Sequence, residues 1–167
     1  MRITIKVKEP QLLNVQSISD DRGLLIPFTD DIDHSLFHRC YYVEDYGLGV
    51  IRGLHYHKEE IKIFTMASGA AKFITFKLPV AIADRNDTLE IADYARENPA
   101  SIKSWVISNR HHAVLFIPAY YANGWISLEE HSVLIGLSNL RFEKAKNDDL
   151  RIDPLVIGED YWRVKGR

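Results

Sequence analysis

Arg52-Gly53-Leu54-His55-Tyr56-His57, followed by Lys62, places a fixed cation, two imidazoles and an amine within eleven residues that otherwise read as β-strand. On alternate positions Arg52, Leu54 and Tyr56 point one way, and Gly53, His55 and His57 the other. Both histidines are therefore expected on one face. A strand holds such groups rigidly, as a reactive site requires.

Outward from this stretch the dominant period is two. Strand-like runs cover 3–7, 36–43, 50–56, 61–67, 71–78, 102–107, 113–117 and 132–137. Turn chemistry separates them: Asp20-Asp21-Arg22-Gly23, Tyr46-Gly47-Leu48-Gly49, Ser68-Gly69, Ser108-Asn109 and Ala122-Asn123-Gly124. Many short strands with close turns imply an all-β sandwich or barrel. Segment 79–99 differs. It reads as a short helix capped by Asp87 or a long surface loop, inserted between strands as a lid or a plain connection. The tail from 142 is charged but carries Tyr161-Trp162, so it is expected to pack onto the body.

Bulk numbers set limits. A chain of 167 residues, 46% hydrophobic, fits one domain with a real core. A net charge of −2, from 21 basic and 23 acidic residues, gives no support to nucleic-acid or anionic-membrane binding. Cys40 is the only cysteine, so no intrachain disulfide forms and a reducing compartment fits best. The first eight residues alternate apolar and charged, unlike a signal peptide, and no window reaches the length of a membrane span. The expectation is a cytoplasmic protein.

A histidine of near-neutral pKa is a proton shuttle at physiological pH. A lysine beside it can stabilise an oxyanion on an adjacent carbonyl, and Arg52 can grip a phosphate with paired hydrogen bonds. Together these suit proton abstraction next to a carbonyl in a phosphate-tethered substrate. The plain alternative is two ordinary barrel histidines. A metal is a third possibility: His55 and His57 with Glu59 or Glu60, and one of His111 and His112, offer imidazole and carboxylate donors. In 116–125, Tyr120, Tyr121 and Trp125 either stack on a sugar or base, with a tyrosine hydroxyl donating a proton, or pack as core and rim. Arg22, Arg39, Arg110 and Arg141, taken singly, read as solvated cations.

Asp20-x-Arg22-Gly23, Gly49-Val-Ile-Arg-Gly-Leu-His-Tyr56, Lys62, Ser68-Gly69 and Phe116-Ile-Pro118…Ala122-Asn-Gly124 follow in the order seen in the dTDP-4-dehydrorhamnose 3,5-epimerase family, the RmlC-like cupins. The chain resembles that family from about Arg22 to Gly158. The resemblance implies a double-stranded β-helix (jelly roll), usually a homodimer exchanging N-terminal strands. It also implies a nucleoside-diphosphate 4-keto sugar as substrate, inversion next to the ketone without metal or cofactor, and a role in cell-surface glycan synthesis. By the same resemblance His55 is the base and Lys62 steadies the enolate. Arg22, from a partner subunit, Arg52 and Arg39 hold the substrate, and Asn123 stands where most members have a sugar-contacting histidine.

The family's tyrosine acid has no counterpart in Ser138-Asn139-Leu140-Arg141-Phe142. Tyr121, Tyr56 or water is left to supply the opposite-face proton. Asp153 and Asp160 are the candidates to orient the base. Arg-Gly-x-His-x-His-Lys is also similar to the sugar 3,4-ketoisomerases, in which both histidines move protons. A cupin that binds sugar nucleotides without catalysis is a further alternative.

Overall fold

The structure is a computed structural model that describes residues 8–30 and 32–164. The run at 3–7 lies outside the described residues. Strands alternate inward and outward residues, and twelve are described: β1 (Gln11–Asn14), β2 (Ile18–Asp20), β3 (Gly23–Leu25), β4 (Arg39–Asp45), β5 (Ile51–Tyr56), β6 (Lys62–Ser68), β7 (Ala70–Lys77), β8 (Lys103–Ser108), β9 (Ala113–Ile117), β10 (Tyr121–Ser127), β11 (Ser132–Ser138) and β12 (Leu150–Arg151). Two five-stranded antiparallel sheets form, in the orders β1-β9-β6-β11-β4 and β12-β5-β10-β7-β8, while β2 and β3 make a separate hairpin. This is the expected all-β sandwich.

The sheets face each other across Phe64 and Leu134 on one side and Phe73 and Trp125 on the other. Burying such side chains stabilises by roughly 1.5–3 kcal/mol each. The outer faces are covered too. Phe28, Ile32 and Phe37 pack on the first sheet. The insertion is helical, and it covers the second sheet: α1 (Val80–Arg85) and α2 (Thr88–Glu97) press Ile91 and Ala95 onto it. Asp87 caps α2 as expected, accepting from the Leu89 and Glu90 amides. The tail packs beside these helices, with Trp162 only 3% exposed. A third helix, α3 (Phe142–Asn147), precedes β12 and forms one wall of the cavity described next.

One departure from simple alternation decides what faces the interior. Against β10, Asn123 pairs with His55 and Trp125 with Arg52, so two residues of β5, Gly53 and Leu54, oppose the single Gly124 of β10. This bulge reverses the parity of Arg52. Arg52 and His55 therefore both line the interior cavity, although strict alternation puts them on opposite faces. Gly53 is what permits it. Its φ is +125°, and an added Cβ would lie 2.6 Å from the Gly124 Cα and 2.9 Å from the Asn123 carbonyl oxygen.

Candidate active site

A cavity of about 730 Å³ is lined by strands of both sheets. β4, β5, β6, β10 and β11 supply its strand walls, and the segment from α3 to β12 closes one side. His55, His57, Lys62, Arg52, Arg39 and Asn123, all singled out in the sequence, line it.

His55 is at the rim, its side chain 33% exposed. Its Nδ1 lies 2.8 Å from Asp149 Oδ1, which leaves Nε2 for the cavity. Burial alone would raise the Asp149 carboxyl, but the hydrogen bonds from His55 and Arg151 prevail and hold it well below the usual carboxylate range. Asp149 is thus the carboxylate that orients the ring. Asp153 instead caps a 3-10 turn by accepting from the Leu155 amide. Asp160 is exposed on the tail and pairs with Arg163 at 3.4 Å. Neither expectation for the orienting aspartate holds, because the chain returns to the cavity at α3–β12, before those residues.

His57 lies below the rim, 5% exposed, its ring 6.3 Å from that of His55 and nearly parallel to it. Lys62 Nζ sits 2.7 Å from His57 Nε2 and 3.2 Å from Glu60 Oε2. Burial and the Lys62 charge lower the His57 pKa to about 4, so the ring is neutral at pH 7. Burial also lowers the Lys62 pKa, against the pull of Glu60 and Asp149. An ammonium has three N–H donors, so two are engaged and one remains for a ligand oxygen.

Glu60 is 3% exposed. Its Oε1 accepts from Arg39 Nη2 at 2.7 Å and Ser138 Oγ at 2.6 Å. The loop that carries it, between β5 and β6, is pinned by residues that follow β11. The Asp148 carboxylate accepts the amides of Lys58, Glu59 and Glu60 at 2.8–3.0 Å. Asn139 accepts the Ile61 amide at 2.7 Å. Neighbouring aspartates therefore divide the work, Asp148 holding the loop and Asp149 the imidazole.

Tyr41, on β4, also lines the cavity, and sequence reasoning missed it. The Arg39 guanidinium lies 4.8 Å above its ring. Gly136 faces it on β11, and a Cβ there would meet the Tyr41 Cζ at 2.5 Å. Burial, aided by Glu60, pushes the Tyr41 hydroxyl well above the usual tyrosine range, against the pull of Arg39. The tyrosines considered from sequence lie elsewhere. Tyr121 packs in the core between the sheets, its hydroxyl raised by burial. Tyr56 is 1% exposed and directs its hydroxyl to the Leu78 carbonyl.

The remaining expected residues divide. Arg52 pairs with Asp45 and donates to the Glu44 carbonyl at 3.3 Å while 47% exposed. Asn123 donates its amide to the backbone oxygens of His55 and Tyr121, both at 3.1 Å, so it ties strands together and its Oδ1 carries the remaining polar capacity. Arg22 is on the β2–β3 turn, 86% exposed and paired with Asp20, and does not line this cavity. His111 and His112 lie before β9, outside the cavity. Glu59 is exposed and pairs with Lys144 at 2.6 Å.

His55, His57 and Asp149 offer ligand atoms within 4.8 Å of one another. They do not fit a divalent metal. Asp149 takes His55 Nδ1, and the Lys62 ammonium stands at His57 Nε2, where it repels a second cation.

No protein-family model and no curated protein matches the chain. Solved structures do. A sugar 3,4-ketoisomerase from Thermoanaerobacterium thermosaccharolyticum, in complex with TDP, is 19% identical over 90% of this chain and 93% of that one, with a TM-score of 0.64. A dTDP-4-dehydrorhamnose 3,5-epimerase from Bacillus anthracis, with TDP and PPi bound, is 19% identical over 88% and 81%, with a TM-score of 0.67. An RmlC epimerase from Mycobacterium tuberculosis is 15% identical over 92% and 74%, with a TM-score of 0.68. The chain has the RmlC-like cupin fold. Among the described residues no helix is long and apolar enough to cross a membrane.

Proposed function

We propose that this chain epimerises a nucleoside-diphosphate-linked 4-keto sugar at a carbon next to the ketone, C3 or C5 or both. One observation carries the proposal: His55, oriented through Nδ1 by Asp149 at 2.8 Å, presents its other nitrogen to a large cavity. The ketone acidifies the neighbouring C–H. His55 Nε2 takes that proton, and Asp149 stabilises the imidazolium that results. Negative charge moves to the ketone oxygen, where the third N–H of Lys62 meets it. The Tyr41 hydroxyl is the candidate to return a proton to the opposite face. Its raised pKa keeps it protonated until needed. Arg52, Lys146 and Arg151, all on the cavity, are cations for the diphosphate. Oriented proton transfer and oxyanion stabilisation supply several kcal/mol of barrier lowering each, on the order of 10²–10³-fold in rate. The fold-level likeness to proteins solved with TDP supports a sugar nucleotide as ligand.

The protein is incubated in D2O with 4-keto-6-deoxy sugars on dTDP, GDP and CDP, and followed by NMR. Deuterium entering C3 or C5 while the ketone stays in place is the expected result. No exchange with any of the three removes the proposal. One observation favours a second reading, a 3,4-ketoisomerase: the parallel second imidazole, with Asp149 Oδ1 3.5 Å from its Nε2. In that case the carbonyl itself migrates in the same spectra, and His57→Asn abolishes turnover.

The chain works as a homodimer, and Arg22, exposed at its hairpin tip, serves the partner's cavity. Light scattering gives the mass, and mixing Arg22→Ala with His55→Asn chains restores activity only if the cavity is shared.

A further inference from the structure

Glu60 touches three of the site's ionisable groups, Arg39, His57 and Lys62. Its Oε2 is 3.2 Å from Lys62 Nζ and 3.2 Å from His57 Nδ1. Its Oε1 is fixed by Arg39 and Ser138. The chemistry of the three partners decides which protons lie where. Lys62, with three N–H bonds and no lone pair when charged, donates to His57 Nε2. With Lys62 charged, Nε2 is bare and the ring proton sits on Nδ1, which lies 3.2 Å from Glu60 Oε2 and 3.9 Å from Asp148 Oδ2 without hydrogen-bonding either. Glu60 thus lies beside two hydrogens, one on an ammonium and one on a neutral ring, inside a site where each would otherwise be poorly solvated.

We propose that Glu60 is a positioning residue: it keeps Lys62 charged and aimed at the cavity and, through Lys62, leaves His57 as its Nδ1–H tautomer. The proposal rests on the epimerase reading for its kinetic consequence, but not for its structural one. Four groups face Lys62: Glu60 and Asp149 favour its charge, Arg39 opposes it, and His57 accepts from it while neutral. Glu60 forms an ion pair with Lys62 at 3.2 Å. Asp149 is committed to His55 and Arg151. Burial pulls Lys62 toward neutrality, and a neutral amine would meet a developing oxyanion with a far weaker donor. Glu60 is therefore what makes a lysine usable at this depth.

Glu60→Gln keeps shape and most hydrogen bonds but removes the charge. With substrate, kcat is expected to fall about tenfold or more with little change in KM, and the alkaline limb of the pH–rate profile to move toward neutral pH by about one unit or more. A purely structural role would scale the whole profile down without moving that limb, and such a result overturns the proposal. A readout without substrate protects against a variant that does not fold and against a wrong assignment of the reaction. In the unmodified protein labelled with ¹⁵N-histidine and ¹³C-lysine, NMR is expected to show His57 as the neutral Nδ1–H tautomer from about pH 5 to about pH 8, beside a charged Lys62. An Nε2–H ring or a neutral lysine across that range refutes it, whatever the enzyme does to sugars.

Discussion

His55 and His57 are two residues apart and their rings are nearly parallel, yet the rim and the floor of the cavity treat them in opposite ways. At the rim the ring has solvent on one side and a carboxylate on Nδ1. At the floor the ring is sealed, with an ammonium on Nε2 and Glu60 near Nδ1. The same side chain, 6.3 Å away ring to ring and out of solvent, exchanges a carboxylate on Nδ1 for an ammonium on Nε2. Depth and partners, not residue type, set the role.

The harshest way to break this contrast is to remove the rim imidazole. His55→Asn is expected to lower deuterium exchange by about 10³-fold or more, equivalent to roughly 4 kcal/mol, with folding intact by circular dichroism. Retention of exchange would hand the base role to the floor. Gly53→Ala attacks both levels at once, because the bulge sets where each ring lies. With an added methyl group against β10 and a positive φ, destabilisation of about 3 kcal/mol is expected from denaturant midpoints.

The floor has its own signature in acid. The folded chain holds His57 neutral down to about pH 4, whereas an unfolded histidine takes a proton near pH 6.5. The contribution of His57 is fully present above about pH 6.5. It is lost as pH falls toward about 4, in total roughly 3 kcal/mol. Unfolding measured at stepped pH should show a shallower slope in His57→Asn than in the parent. Identical slopes would locate the titration elsewhere. Asp149→Asn sharpens the rim, since an amide in place of the carboxylate no longer stabilises the imidazolium. A drop of about 10²-fold in exchange is expected, roughly 2.7 kcal/mol. The smallest effect belongs to Arg22→Ala, whose side chain is exposed and paired only within its own hairpin. The melting temperature should not move, and a rise in KM would place it at a second subunit's cavity.

Local pattern made much of this legible. The period-two runs match seven strands of the two sheets but not β1, β10 or β12, and Ala122-Asn123-Gly124, expected as a turn, lies within β10 because its small and polar residues pair on both sides with β5 and β7; Arg-Gly-Leu-His-Tyr-His with Lys62 located the cavity floor and rim. What stayed hidden depends on pairing across distance. Asp149 is 94 residues from His55, and nothing local distinguishes it from Asp153 or Asp160. Glu60 read as one more carboxylate near a histidine, considered only as a metal ligand, because its partners Arg39 and Ser138 come from β4 and β11. Tyr41 sits in an ordinary strand run whose register against Gly136 is invisible in one sequence. Strict alternation places Arg52 on the face opposite His55, and only the cross-strand bulge, which one sequence does not reveal, brings the two together.

The Asp148–Asp149 pair also has a consequence in time. A chain emerging from the ribosome through β11 already carries both imidazoles and Lys62, but neither the carboxylate that turns the His55 ring nor the one that gathers the 58–60 amides. The site is therefore assembled in two stages: both imidazoles and Lys62 are made first, and the two aspartates that orient them follow only after β11.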